Sequence, residues 1–281
     1  MSSSTSTDSQ QTAIFLHIHK TAGTTLHAIL RRQYDEAEVY NIDAKGHDYH
    51  HFIKLSQSEY AKIRLLKGHM NYRLHSFLPQ PATYFTFLRE PIERVISYYY
   101  FIRRTPRHLH HQAANALSLY EFASQQIDPL MANGQTRQLA GGYPKYDFGD
   151  EADALLNKAK QHLQAHFAVV GLTERFDESL MMLQQAFNWH HVWYQRQNVG
   201  SNRPKQEELS SKTIAYLKKL NQTDEALYAY GRSLFEAQIA EQGSHFPRRV
   251  QIFRLLNRFT QPYWHLRQFS LRVWLRSLQT S

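Results

Sequence analysis

Apolar residues along this 281-residue chain fall into two alternating kinds of pattern. Short continuous apolar runs occur at Ala13 to Ile18, Val39 to Ile42, Ile63 to Leu66, Ala82 to Leu88 and Ala168 to Leu172. Runs of this length, rich in β-branched and aromatic residues, read as strands buried on both faces. Between and after them, apolar positions recur every three or four residues, which predicts helices. These span Thr25 to Gln33, Pro91 to Arg103, Ser118 to Gln126, Asp150 to His166, Glu174 to Trp189, Gln206 to Leu220 and Asp224 to Glu241. Such alternation predicts an α/β fold with a central parallel sheet flanked by helices, and ligands in such sheets bind at the carboxyl ends of the strands.

The first run leads straight into chemistry. AIFLHIHKTAGTTL, from Ala13 to Leu26, is a strand, a Lys-Thr-Ala-Gly-Thr-Thr turn and a helix start. A helix N-terminus aims backbone N–H groups and the positive end of the helix dipole at one point, which favours an anion. Lys20 adds a full charge there, Gly23 permits close backbone approach, and Thr21, Thr24 and Thr25 offer hydroxyl donors or caps. The same residues also fit a plain strand-to-helix turn with Lys20 solvated. The nucleotide-triphosphatase pattern GxxxxGK[ST] is absent, because here the lysine precedes the glycine.

A second element, YFTFLREPIERVISYYY from Tyr84 to Tyr100, repeats the theme. Arg89 leaves a strand at the same sheet edge as Lys20, and Pro91 suits a first helical turn with Glu90 and Glu93 complementing its dipole. Ser97 follows about two turns along, so Arg89 and Ser97 grip one phosphate if loop and helix fold back on each other. The alternative for Arg89 is a salt bridge to Glu93. A loop from Tyr194 to Lys205 carries Arg196, Arg203 and Lys205 and is a candidate ligand cover, or a plain surface loop.

Composition narrows the field. The chain has no cysteine, which excludes disulfides, thiolate catalysis and cysteine-based zinc sites. Residues 1–11 form a polar lead without the basic and apolar regions of a secretory signal, and no apolar run approaches bilayer length, so a cytoplasmic location is expected. The net charge is +9, but the last acidic residue is Glu241, and seven arginines follow it. Residues 243–281 thus form a basic tail, also rich in Trp, Phe and Leu, beyond a single domain at 12–242. This amphipathic tail reads either as a peripheral contact with an anionic membrane surface or as helices packed on the domain. No nucleic-acid recognition module is visible.

Together, HIHKTAGTTL and FLREPIERVISYYY resemble the carbohydrate sulfotransferases of the heparan sulfate 2-O-sulfotransferase type and their bacterial relatives. Lys67-Gly68-His69, Asn133-Gly134-Gln135-Thr136-Arg137 with Gly141, and Val170 to Phe176 extend the resemblance over about Ala13 to Glu241. It implies a P-loop-type three-layer fold and transfer of a sulfuryl group from 3′-phosphoadenosine 5′-phosphosulfate (PAPS) to a hydroxyl, expected to be a sugar's, without a metal. Under that resemblance, residues Lys20 to Thr25 take the 5′-phosphosulfate and Arg89 and Ser97 the 3′-phosphate; as cations of the candidate cover loop, Arg203 and Lys205 are expected to join the donor site. His69 matches the catalytic Gly-His position as general base, and Lys20 serves the leaving oxygen.

Other histidines compete for attention. His19 stands where relatives usually have proline, and it is the runner-up base. His17 reads as a core histidine. The run His108-Leu109-His110-His111 has superficial metal spacing, but no nearby carboxylate in the sequence completes a set, so a polar loop is expected. Gln135, Thr136 and Arg137 acquire no role from the sequence beyond acceptor contact or loop anchoring. Two readings of other classes stay open at this stage, a P-loop-type kinase or nucleotide-binding protein and a non-enzymatic polyanion- or membrane-binding protein.

Overall fold

A computed structural model describes residues 11–42, 47–142, 145–195, 204 and 206–259. Its centre is a five-stranded sheet of β1 (Thr12–Leu16), β2 (Val39–Ile42), β3 (Leu65–Gly68), β4 (Ala82–Leu88) and β5 (Phe167–Leu172). The order is β2-β3-β1-β4-β5 and every pairing is parallel, with Leu16 opposite Gly68 and Phe15 opposite Phe85. All five residues of β1 are buried, which requires helices over both faces of the sheet. The expected α/β architecture is therefore observed, with β1 at its middle and the loop after it at the carboxyl edge.

The helices are α1 (Gly23–Leu30), α2 (His47–Phe52), α3 (Gln57–Tyr60), α4 (Pro91–Arg103), α5 (His111–Ala116), α6 (Leu119–Ser124), α7 (Gly134–Leu139), α8 (Ala152–His166), α9 (Phe176–Ala186), α10 (Ser211–Leu220), α11 (Gln222–Glu241) and α12 (246–259). The main core joins the sheet to α1, α8, α9 and α11, with Phe246, Val250 and Phe253 of α12 included. A second cluster lies between α4, α5, α6 and α10, where Val95, Tyr99, Ile102, Phe122 and Leu217 meet.

Several boundaries differ from the sequence expectation. β3 starts at Leu65, not Ile63, because the Ile63 carbonyl is taken by side chains, Thr12 Oγ1 at 2.7 Å and Gln80 Nε2 at 3.1 Å. β1 stops at Leu16, where the chain leaves the ladder after one last bond from His17 N to Gly68 O at 3.0 Å. α10 begins at Ser211 with Ser210 as its cap, and 206–208 is a separate 3-10 turn. α9 is shorter at both ends than Glu174 to Trp189, since Thr173–Arg175 is also a 3-10 turn. The six-residue helices α2, α5 and α7 were not expected, because fewer than two turns give the 3.6-residue period too little length to register.

Candidate active site

The loop between β1 and α1 is built from residues in an unusual backbone state. Lys20 has φ 71° and Ala22 φ 61°, both left-handed, at a cost of about 1–2 kcal/mol each without a glycine. Three side chains hold this conformation. Thr21, fully buried, donates its hydroxyl to the Ile18 carbonyl at 2.8 Å. Arg89 donates to the Lys20 carbonyl at 3.1 Å, and Gln138 Nε2 donates to the His17 carbonyl at 2.9 Å.

The threonines do not cap α1 as the sequence allowed. Its N-cap residue is Ala22, which makes no side-chain bond, and the first turn holds no acidic residue. The Thr21 hydroxyl faces inward, so Thr21 presents its backbone to the loop. The helix start is left positive, and Lys20, three residues ahead of Gly23, lays its ammonium over the Phe101 ring of α4, 4.5 Å from the ring centroid.

Of the two sequence readings of Arg89, the salt bridge to Glu93 is observed. Its guanidinium pairs with Glu93 at 3.2 Å while another nitrogen holds Lys20 O, and its backbone is clamped by the Gln135 side chain, which accepts from Arg89 N at 3.0 Å and donates to Arg89 O at 2.9 Å. Glu93, Ser97 and Phe101 recur every four residues and share one stripe of α4. Arg89 touches the first of these and Lys20 the last, so Ser97, half-buried, sits between the two cations on the same side of α4. The structure thus gathers Lys20, Ala22, Gly23, Arg89 and Ser97 at one sheet edge. Arg203 and Lys205 lie outside the described residues.

His69 follows β3 and meets the loop across the adjacent strand. Its Nδ1 lies 2.9 Å from the His17 carbonyl. A carbonyl only accepts, so Nδ1 carries the hydrogen and the lone pair is on Nε2. The ring stacks between His17 at 4.1 Å and His19 at 3.6 Å, the latter almost parallel at 3°. Burial, with Lys20 adding to it, lowers the His69 pKa to about 4, although the bond to the His17 carbonyl works the other way. Burial chiefly, then His69, holds His17 and His19 well below the usual histidine value too. All three imidazoles are neutral near pH 7.

His17 is not an isolated core histidine. Its Nδ1 lies 3.2 Å from His27 Nε2, and His27 Nδ1 lies 3.4 Å from Lys67 Nζ. Neither this partner nor Gln138 was visible in sequence, since Gln138 lies 121 positions from His17 and the ten-residue step from His17 to His27 crosses the turn between β1 and α1. Gly68 has φ 140°, and a Cβ there would collide with the Ile42 carbonyl, so the turn that delivers His69 needs glycine.

The Asn133-to-Arg137 segment finds a structural role. Asp224 of α11 accepts from Gln135 N at 3.0 Å, Thr136 N at 2.7 Å and Thr136 Oγ1 at 2.8 Å, and it pairs with the fully buried Arg94 at 3.8 Å. Arg137 donates to the carbonyls of Ala132 and Tyr146 at 3.2 and 2.9 Å. These groups brace the floor under the loop, with Gln135 reaching Arg89 and the neighbouring Gln138 reaching His17. The His108 to His111 run gains a distant carboxylate that local sequence hid, since His110 lies 3.8 Å from Asp128, itself bonded to Tyr98 at 2.9 Å. Among the described residues no set of three or more His, Asp or Glu is arranged to hold a metal ion. Nor is any described helix long and apolar enough to cross a membrane.

The arginine-rich segment is turned partly inward where it is described. Arg254 bonds Asp177 and Glu178, each at 2.9 Å, and Arg249 bonds Gln185 at 3.1 Å. Phe253 stacks on Trp193 at 5.3 Å. The rest of the segment, with Arg267, Arg272 and Arg276, lies outside the described residues.

Comparison with known proteins agrees with this frame. Galactose-3-O-sulfotransferase 3 of Bos taurus and of Homo sapiens are each 26% identical over 257 residues, which is 83% of this chain and 58% of theirs. The chain spans a little under three fifths of the length of these relatives. The protein-tyrosine sulfotransferase of Arabidopsis thaliana is 37% identical over 89 residues, 31% of this chain and 16% of that protein. Mouse sulfotransferase SULT7A1 complexed with PAP aligns with a TM-score of 0.36 at 13% identity, covering 76% of this chain and 66% of that one. The family model for galactose-3-O-sulfotransferase matches residues 1–260, which takes in the β1 loop, the Arg89 element, His69 and α12, and the chain belongs to that family.

Proposed function

We propose that this protein is a PAPS-dependent carbohydrate sulfotransferase that places a sulfuryl group on a sugar hydroxyl. One observation carries the reading: an uncapped helix start with Lys20 and Arg89 beside it lies across the strand edge from a neutral imidazole whose lone pair is on Nε2. Such an arrangement supplies cationic and N–H stabilisation on one side and a proton acceptor on the other.

In this reading the N–H groups around Ala22 to Thr25 receive the 5′-phosphate of the donor, and Lys20 stabilises charge on the leaving oxygen. Arg89 and Ser97 take the 3′-phosphate, for which the planar guanidinium fork is the suited group. Arg203 and Lys205 are retained as further donor contacts. His69 Nε2 takes the proton of the attacking hydroxyl, and the resulting imidazolium is steadied by the bond from Nδ1 to the His17 carbonyl. His19, stacked on His69, is better placed to orient that ring than to replace it. The names of the relatives suggest galactose as the acceptor sugar.

The test is transfer from radiolabelled PAPS to a glycan panel that includes β-galactosides. Turnover that Lys20→Ala and His69→Ala each reduce by about 100-fold or more supports the assignment. Full turnover surviving both substitutions overturns it. Calorimetry with 3′-phosphoadenosine 5′-phosphate (PAP) against ATP with magnesium separates this reading from a kinase, since the 3′-phosphate site favours the former.

Attachment to an anionic membrane surface through the basic segment is kept as an accessory proposal, supported by exposed Ile252, Leu255, Leu256 and Phe259 on α12. Liposome binding that persists after truncation at residue 259 would locate it in α12, and no binding by the full chain would remove the proposal.

A further inference from the structure

The two ends of Lys20 are held by different parts of the molecule. Its backbone lies in the left-handed region, with φ 71° and the carbonyl taken by Arg89 at 3.1 Å. The ammonium rides on a flexible four-carbon stem, so fixing the backbone does not by itself fix the charge. α4 supplies a contact for that charge, since Nζ lies 4.5 Å from the centroid of the Phe101 ring.

The ring is anchored in its turn. Phe101 is half-buried near the end of α4 and closes the stripe that also carries Glu93 and Ser97. Its carbonyl accepts from Thr105 Oγ1 at 2.7 Å, and its ring meets His108 edge-on at 6.0 Å and 83° and Tyr98 at 6.4 Å and 23°. The helix beneath is tied to the second core cluster, with Tyr99 and Ile102 buried and Tyr99 donating its hydroxyl to the Leu117 carbonyl at 2.6 Å. A contact made from such a support has a defined place.

An aromatic face at this position does what a carboxylate could not. It attracts a cation through the ring quadrupole and brings no compensating charge. The Arg89 guanidinium, by contrast, is paired with Glu93 at 3.2 Å. An ammonium resting on a ring keeps its full charge, and the donors turned away from the ring are directed elsewhere. A charge placed before the reaction needs no reorganisation when negative charge develops beside it.

We infer that Phe101 is a positioning residue for sulfuryl transfer, its ring face holding the Lys20 ammonium on the α4 side of the loop, ready for the leaving oxygen. The inference rests on the sulfuryl-transfer reading above and adds to it a residue one position beyond the second motif, with no polar group of its own.

The experiment measures kcat and the KM for PAPS with a sugar acceptor for wild type, Phe101→Leu and Phe101→Tyr, and for Lys20→Met with and without Phe101→Leu. Phe101→Leu should lower kcat by about 5- to 30-fold, the range for a cation–π contact, and change KM by less than about twofold, because the charge on the leaving oxygen develops in the transition state. Phe101→Tyr keeps the face and should stay within about twofold of wild type. In the Lys20→Met background Phe101→Leu should cost less than about twofold, since no ammonium is left to place. A kcat for Phe101→Leu equal to or above that of wild type overturns the inference and leaves the sulfotransferase reading standing, and so does the same loss in both backgrounds. Absence of transfer by the wild type overturns that reading first and the inference with it. Should Phe101→Leu fail to fold, proton spectra of the wild type decide. Lys20 ε-methylene protons shifted upfield by the ring current support the inference, and the ordinary lysine position overturns it.

Discussion

Two helix starts lie side by side at the carboxyl edge of this sheet and are finished in opposite ways. α4, following β4, caps itself: Glu90 accepts from Ile92 N at 3.2 Å and Glu93 N at 2.6 Å, Pro91 removes one orphan donor, and Glu93 complements the dipole. α1, following the neighbouring β1, has an alanine at the cap position, no acid in its first turn and two left-handed residues just before it. A third start, that of α7, is capped from a distance by Asp224. The same strand-to-helix turn thus becomes structural where a carboxylate closes it and a candidate anion site where none does. α4 then contributes only side chains to the site, Arg89 ahead of its first turn and Ser97 from its second.

The comparison breaks most sharply if α1 is made to resemble α4. Ala22→Asp places a carboxylate at the N-cap in a backbone state that Asp tolerates. The fold should be as stable as before, while PAP binding falls by about 100-fold or more, since the new charge occupies the place of the anion. Calorimetry reads the loss, and undiminished binding would mean that the α1 start is not where the anion sits. Arg89→Lys comes next. A lysine lacks the fixed two-nitrogen fork that holds Lys20 O and Glu93 together, so the brace weakens, and PAP affinity should fall by about tenfold with a smaller change in melting temperature. A variant that binds PAP as wild type does would remove Arg89 from the site.

Part of this contrast is written in the sequence and part is not. The strand runs at 39–42 and 82–88 and the helix at 91–103 were legible to the residue, the latter two because each has a long pattern with strong boundaries such as Pro91. The two anion-facing motifs were legible for the same reason, as each compresses strand end, turn and helix start into a dozen residues. The braces were not. Gln138 to His17, Asp224 to Thr136 and Lys67 to His27 join residues 121, 88 and 40 positions apart, and polar pairing over such spans leaves no local period. The threonines misled in one respect, since hydroxyls at a helix start suggest caps, whereas the Thr21 hydroxyl closes the turn onto Ile18.

A smaller effect is expected from the other side of the comparison. Glu90→Ala opens the α4 start without touching the α1 loop, and loss of an N-cap costs about 1 kcal/mol, or about 2–4 °C in melting temperature for a chain of this size. Turnover at a temperature well below the transition should stay at the wild-type level. If it fell as far as with Ala22→Asp, the two helix starts would be sharing one function and the distinction drawn between them would fail.

The mildest perturbation is the proton concentration, and on the α1 side it acts through histidines, whereas at the α4 start it meets the Glu90 carboxyl, which burial pushes up. His69 and His27 have folded-state pKa values of about 4, below the ordinary 6.5 of an unfolded histidine. Between those values the unfolded chain binds more protons than the folded one, so these groups leave stability untouched above about pH 6.5 and erode it as pH falls towards 4. Urea midpoints should therefore be flat from pH 8 to about pH 7 and decline below about pH 6.5, with the His69 resonance titrating near 4 in the free protein. Bound PAP should raise that midpoint, because a nearby anion favours the imidazolium. A PAP-insensitive His69 titration would separate the base from the anion site and leave the α1 start without its proposed partner.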